Sequence, residues 1–160
     1  MIRSFIFGIV ILFGLAIALP IIGIIWGDLN TAFQGEDVFP TVAKDSFDTQ
    51  ATAYNSVWDY TFLIVLFAIV AGLISLAYVL PTNPVLMFVI ILIITIMGLL
   101  AGFLANAWGE VTSGTNAYSA AVAGFPIMNF VVTYYLHFTI AIGFIVLVVF
   151  YAKPNQEGVF

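Results

Sequence analysis

Four long apolar segments constrain this 160-residue chain more than any other feature. The segments are residues 5–26, 57–80, 84–105 and 126–151. Each exceeds the roughly 20 residues that a helix needs to cross a bilayer. None contains Lys, Arg or Glu, and the only acid within them is Asp59, near the start of the second. Backbone polar groups in hydrocarbon must be satisfied within their own segment, which favours helices. The sequence therefore predicts one all-α integral membrane domain over residues 1–160, a four-helix protein with four transmembrane helices.

Composition excludes several other classes of protein. Only 7% of the residues are charged and 64% are hydrophobic, whereas a soluble domain carries about 25% charged residues. Three basic residues are too few to form the cationic cluster that nucleic-acid binding needs. The chain has no Cys and a single His, which excludes thiolate sites and metal sites built from several His of one chain. We expect no enzymatic activity, no cofactor, no metal and no nucleic-acid partner.

The first apolar segment has some features of a signal peptide. Arg3 precedes it, and Ala16-Ile17-Ala18 matches an A-x-A cleavage site. The apolar run nevertheless continues to Trp26, which is too long for an ordinary signal sequence. We therefore expect a retained first helix, kinked where Pro20 removes a backbone hydrogen bond.

Capping signals place the helix ends. The motif Ser-Val-Trp-Asp ending at Asp59 fits a capping box, which predicts that the second helix begins there with Asp59 near water at its positive end. Pro81 is expected to end that helix, with Asn83 as N-cap and Pro84 at the first position of the third. Spans two and three then form a tight antiparallel hairpin. Pro126 is predicted to open span four in the same way.

Charge asymmetry predicts the orientation in the membrane. With four spans, both termini lie on one side, which holds Arg3, Lys153 and Glu157. The opposite side holds seven carboxylates and only Lys44. Because basic residues stay on the cytoplasmic side, the N- and C-termini are predicted to lie on the cytoplasmic or interior side of a multi-pass protein.

Two connectors lie on the opposite, outer side. Residues 27–56 form an acidic connector of about 30 residues, expected as a short helix or turn on the membrane surface or against a partner. Residues 106–125 are rich in Gly, Ser, Thr and Ala and are expected to be an irregular loop with one helical turn at most. Tryptophans favour the membrane–water boundary, so three are predicted as interface anchors: Trp26, Trp58 and Trp108.

Small residues on span three predict close helix packing. Gly98 and Gly102 have GxxxG spacing, and Ala101 and Ala105 lie beside them. Small side chains let helix backbones approach, which drives association in lipid. The contact is expected within the four-helix bundle, with packing between subunits as the alternative.

Span four carries a row of polar residues at a spacing of four: Asn129, Thr133 and His137. The spacing predicts one polar helix face turned inward, with a neutral imidazole hydrogen-bonded across helices. An ionisable residue within a membrane is also a functional candidate. A proton-transfer or cofactor role for His137 is therefore the alternative to structural packing.

Residues 82–111, TNPVLMFVIILIITIMGLLAGFLANAWGEV, open with Asn-Pro, continue as a Val/Ile/Leu run and end in a small acidic loop. This segment resembles uncharacterised small membrane proteins of membrane-containing viruses and phages. Those that reach the virion sit in the vesicle beneath the capsid, usually in many copies. The resemblance implies a structural role and no catalytic residue.

These features lead to a structural or assembly protein, a multicopy component of a virion inner membrane or a similar assembly. Its expected partners are the lipid bilayer and other membrane or capsid-type chains, in a homo- or hetero-oligomer. One alternative is an accessory subunit of an energy-converting or oxidase complex. A second is a small channel or holin-like protein, although a pore should line one helix face with polar groups.

Overall fold

The computed structural model of the chain describes residues 2–81, 83–114 and 116–152, and these residues form an all-α fold of six helices. The helices are α1 (Ile2–Gly35), α2 (Thr41–Val79), α3 (Pro84–Thr112), α4 (Ala117–Val122), α5 (Pro126–Thr133) and α6 (Tyr135–Ala152). Three residues that the hairpin and orientation predictions include lie outside the described residues: Thr82, Lys153 and Glu157.

Four of the described helices are long and apolar enough to cross a membrane: Ile6–Gly35, Thr41–Val79, Val85–Thr112 and Tyr135–Ala152. Only 22–33% of the most apolar stretch of each is buried within the protein. The outward side chains are mostly large and apolar, for example Phe7, Phe103 and Phe144. An apolar exterior of this extent is far larger than the patches that soluble monomers expose, and it fits a multi-pass membrane protein.

The core lies where α1, α2, α3 and α5 meet, and α6 completes it. Its largest fully buried side chains include Trp108, Phe62 and Phe125. A second, smaller cluster around Ala77, Ile90 and Phe150 holds together the ends of α2, α3 and α6. The bundle is thus packed along its whole length by apolar side chains.

Helix α6 separates the two helices of the predicted hairpin. It packs extensively on both α2 and α3, which share few contacts with each other. Asn83 caps α3, where its side-chain oxygen accepts the N–H of Val85 at 2.9 Å. The connection between α2 and α3 is short, but the prediction that they pack as a tight pair is wrong, because each helix places its small or apolar face against α6.

The predicted acidic connector is instead helical over most of its length. Residues 27–35 continue α1 and residues 41–56 continue α2, with a turn over residues 36–40. We call residues 27–56 the α1–α2 extension. The prediction of a short surface helix or turn is wrong because a change from apolar to polar residues does not end a helix. The helices end only at the turn between Gly35 and Pro40, residues that break helices.

The second connector and span four also differ from expectation. Helix α3 continues to Thr112, and Asn116 caps the short α4 by accepting the N–H of Ser119 at 2.8 Å. The prediction of an irregular loop over 106–125 is therefore wrong. Span four is interrupted at Tyr134, which has φ −99° and ψ 25° and separates α5 from α6.

The small-residue stripe of α3 lies inside the bundle. A Cβ atom added at Gly98 or Gly102 would meet Leu136 of α6 at 3.8–3.9 Å, an ordinary van der Waals distance. Ala101 is fully buried, and Ala105 packs against the same core cluster. The contact between α3 and α6 is tighter at Gly143 than at these two glycines. A Cβ atom there would lie 2.6 Å from Cγ2 of Ile94.

We expect Gly143→Ala to destabilise the protein by about 1–3 kcal/mol, the usual cost of overpacking a core. The branched Ile94 side chain cannot move aside without shifting α3. Gly98→Ala is the matched control and should be neutral or slightly stabilising, because its Cβ atom fits and Ala favours helix. Thermal unfolding in detergent measures both. Equal melting temperatures for the two variants would contradict the tighter packing at Gly143.

Candidate functional site: the polar side chains of the bundle

Asp59 provides the one buried carboxylate in the described part of the chain. It lies in the interior of α2 and is 3% exposed. Its Oδ2 accepts the N–H of Ile127 at 2.9 Å and its Oδ1 accepts the N–H of Met128 at 2.7 Å. These are the first free donors of α5, because Pro126 has no N–H. Asp59 therefore caps a neighbouring helix across the bundle.

The predicted place of Asp59 at the start of its own helix, near water, is wrong. Helix α2 begins at Thr41, well before the capping-box motif. The chemistry behind the prediction does apply, since a carboxylate is stabilised at the positive end of a helix dipole. The helix in question is α5, whose N-cap residue Phe125 makes no side-chain capping bond.

Trp108 is a core residue. It is 1% exposed, and its Nε1 donates to Oδ1 of Asn129 at 3.0 Å. Its ring makes edge contacts with Phe13 and Tyr118. The prediction of Trp108 as an interface anchor is wrong, because Asn129 supplies inside the bundle the acceptor that an indole otherwise finds at the membrane surface.

The two other predicted anchors occupy different environments. Trp58 is 39% exposed on α2. Trp26 is half-buried and stacks on Phe47 with ring centroids 5.2 Å apart. The Nε1 atom of Trp26 is buried without a hydrogen-bond partner among the described residues. Trp26 therefore acts as a packing residue between α1 and α2.

Three tyrosine hydroxyls donate to backbone carbonyls of α1. The bonds are Tyr54 to Leu19 at 3.4 Å, Tyr118 to Ala16 at 3.3 Å and Tyr135 to Ile9 at 3.0 Å. The bond to Ala16 has a clear cause. In a helix, the N–H of residue 20 would donate to this carbonyl, but residue 20 is Pro20 and has none.

Tyr118 thus completes the hydrogen bonding that Pro20 interrupts. Burial raises the pKa of the Tyr118 hydroxyl, so it stays protonated and able to donate over the physiological range. The sequence signal for this contact was the proline inside an apolar helix, which leaves one carbonyl in need of a donor. Which residue supplies that donor depends on where α4 packs.

The predicted polar face of span four is divided. Asn129 is partly buried and bonded to Trp108, and Thr133 donates to the same Asn129 oxygen at 3.4 Å. Thr133 and His137 are both exposed on the outside of the bundle. The inward orientation predicted for these two is wrong, because residues spaced by four drift by about 40° per step around a helix of 3.6 residues per turn.

These groups connect helices and do not converge on a cavity. Asp59 joins α2 to α5, Trp108 joins α3 to α5, and Tyr118 joins α1 to α4. Both oxygens of the buried carboxylate are occupied by backbone donors. In the described residues, no three His, Asp or Glu side chains lie close enough to hold a metal ion. The arrangement therefore positions the short helices α4 and α5 against the long ones.

Asp59→Asn should destabilise the protein by about 1–3 kcal/mol, because its amide NH₂ faces one of the two backbone donors and leaves that buried N–H without an acceptor. Asp45→Asn, an exposed change on the same helix, is the control and should have little effect. Unfolding in detergent measures both. A variant at position 59 as stable as the parent would refute the capping role.

Tyr118→Phe should cost about 0.5–1.5 kcal/mol for one lost hydrogen bond. The same substitution in a Pro20→Ala background should cost less, because the restored N–H at residue 20 bonds Ala16 itself. A double-mutant cycle on unfolding free energies measures this coupling. Strictly additive effects would show that the tyrosine does not compensate for the proline.

Comparison with known proteins identified no relative of this chain. No protein-family model, curated protein or solved structure matches the chain.

Proposed function

We propose that this protein is a structural membrane protein, present in many copies, that attaches a lipid bilayer to a surrounding protein assembly such as the capsid of a membrane-containing virus. The observation that carries the proposal is the α1–α2 extension, residues 27–56. It is a helical, acidic projection that continues directly from two membrane-length helices. The bundle supplies the anchor, and the extension supplies the surface for a partner.

The length of the extension suits contact beyond the lipid. From Trp26 to Gly35, α1 continues for nine residues, which span about 14 Å at 1.5 Å per residue. The polar headgroup region adds only about 5–8 Å on each side of the hydrocarbon. If the apolar part of α1 ends at Trp26, the tip of the extension lies outside the headgroups, within reach of another protein.

Aromatic stacking makes the extension stiff. Phe33 stacks on Phe39 at 3.9 Å and on Phe47 at 4.9 Å between ring centroids, and Trp26 continues the row. Aromatic pairs contribute about 0.5–1.5 kcal/mol each beyond their buried area. A rigid projection loses little conformational entropy on binding, which favours its use as a docking element.

Hydrogen bonds fix the register of the two helices of the extension, α1 and α2. Lys44 donates from Nζ to the carbonyl of Gln34 at 2.9 Å, and Gln34 donates from Nε2 to the carbonyl of Lys44 at 2.9 Å. Asn30 donates to Asp48 at 2.9 Å. The single lysine of the extension is therefore used within it, at the carbonyl end of α1, where a cation is favoured.

The extension offers a partner an acidic surface. All five of its carboxylates are on exposed residues: Asp28, Glu36, Asp37, Asp45 and Asp48. Complementary charge mainly sets specificity and association rate. The fitting partner is a protein surface rich in Lys and Arg. Such a contact weakens as salt screens it.

Removing charge near the tip tests the proposal. The variant Glu36→Gln, Asp37→Asn, Asp45→Asn adds no basic residue to the outer side, so it should fold and insert as the parent does. Its incorporation into the native assembly should fall several-fold. Glu110→Gln, an exposed change on α3 outside the extension, is the control and should incorporate as the parent does. Quantitative mass spectrometry of purified assemblies measures both incorporation and copy number.

Two results would overturn the proposal. One is equal incorporation of the charge-removed and parent chains. The other is a copy number of one alongside a haem- or metal-bearing chain, which would select an accessory subunit of an energy-converting complex.

A further inference from the structure

The outward face of α5 and α6 carries polar side chains where the surrounding surface is apolar. Thr133, Tyr134 and His137 are all exposed, and they lie within little more than one helical turn. The imidazole ring of His137 lies 5.9 Å from the ring of Tyr134. Among the described residues, neither the imidazole nitrogens nor the Tyr134 hydroxyl has a hydrogen-bond partner. We call these three residues the α5–α6 polar patch.

The patch lies deep along the membrane-length bundle. Asp59 bonds the backbone at Met128, so the first turn of α5 is level with the start of the apolar part of α2. His137 follows nine residues later, past the interruption at Tyr134, which corresponds to about 14 Å at the helical rise of 1.5 Å per residue. The hydrocarbon core is about 30 Å thick. A bundle that spans it places His137 close to its middle, beyond the reach of lipid headgroups.

Polar groups at this depth need a protein partner. Ionisable side chains in membrane segments nearly always face other protein or water, because hydrocarbon offers them no hydrogen bonds. The patch contains no Asp, Glu, Lys or Arg that would demand an opposite charge. It combines donors and acceptors, since a neutral imidazole has one of each and both hydroxyls serve as either. It is therefore complementary to itself.

We infer that the α5–α6 polar patch binds the same patch of a second copy of this chain. Copies inserted in the same orientation share a two-fold axis along the membrane normal, so identical residues meet at equal depth. In such an isologous contact every bond occurs twice. Exposed Ala141, one turn below His137, leaves room for the two α6 helices to approach, as small residues do in membranes. The inference rests on the proposed function only for the presence of many copies.

The absence of cysteine from the natural chain allows a direct test. The variant Ala141→Cys, reconstituted in phosphatidylcholine vesicles, should form a disulfide-linked dimer rapidly under mild oxidation. Phe103→Cys, on the exposed surface of α3, is the control for random collision and should cross-link slowly. If both cysteines cross-link at the same rate, the α5–α6 face is not the interface and the inference fails.

A second measurement tests the polar groups themselves. In vesicles, fluorescence energy transfer should show that His137→Leu with Tyr134→Phe weakens dimerisation about tenfold, equivalent to 1.4 kcal/mol. Tyr60→Phe, a matched change of an exposed tyrosine on α2, should leave the dimer unchanged. The altered side chains are exposed, so the monomer should keep its melting temperature in detergent.

A dimerisation constant within twofold of the parent would overturn the inference. Both measurements use the purified chain in vesicles, so they are independent of assembly incorporation. If dimers form here while the variant with the charge-removed extension incorporates normally, the proposed function alone is refuted.

Discussion

Backbone polar groups removed from water must find partners inside the protein, and this constraint organises the whole bundle. A continuous helix meets it locally, but α5 begins within the bundle, where its first N–H groups have no intrahelical acceptor. The Asp59 carboxylate accepts two of them. Pro20 creates the opposite problem, a carbonyl without a donor, and the Tyr118 hydroxyl supplies it. Both exceptions to regular helix are satisfied by side chains from other helices.

The same constraint explains why the polar residues are distributed unevenly. Inside the bundle, Asp59, Tyr118 and Trp108 are each matched to a specific backbone or side-chain group. On the α1–α2 extension, the carboxylates need no such matching because they face outward at the end of the bundle. The α5–α6 polar patch is the exception, since it combines the exposure of the extension with the depth of the core. Exposed polar groups at this depth would lack hydrogen-bond partners in lipid, which is why the patch indicates a second chain.

Local signals in the sequence placed several helix ends well. Asn83 and Pro84 open α3, because a side-chain acceptor followed by a residue without an N–H suits the first turn of any helix. Gly35 and Pro40 bracket the turn of the extension, although the change in polarity at Trp26 suggested an earlier end. The polarity of the side chains indicates which solvent surrounds a helix, whereas Gly and Pro indicate where the backbone leaves the helical conformation. Helix α1 therefore ends at Gly35 and α2 begins after Pro40.

The sequence by itself determined that the chain is helical, that four helices are long and apolar enough to span a bilayer, and that little charge is available for chemistry. These properties depend on the composition and length of each segment. The tertiary structure decided which helices pack together, with α6 placed against both α2 and α3. It also decided that Asp59 caps α5 and that His137 points outward. Those outcomes depend on the rotation and depth of each helix relative to its neighbours, which a helical period of 3.6 residues leaves open until the whole bundle is packed.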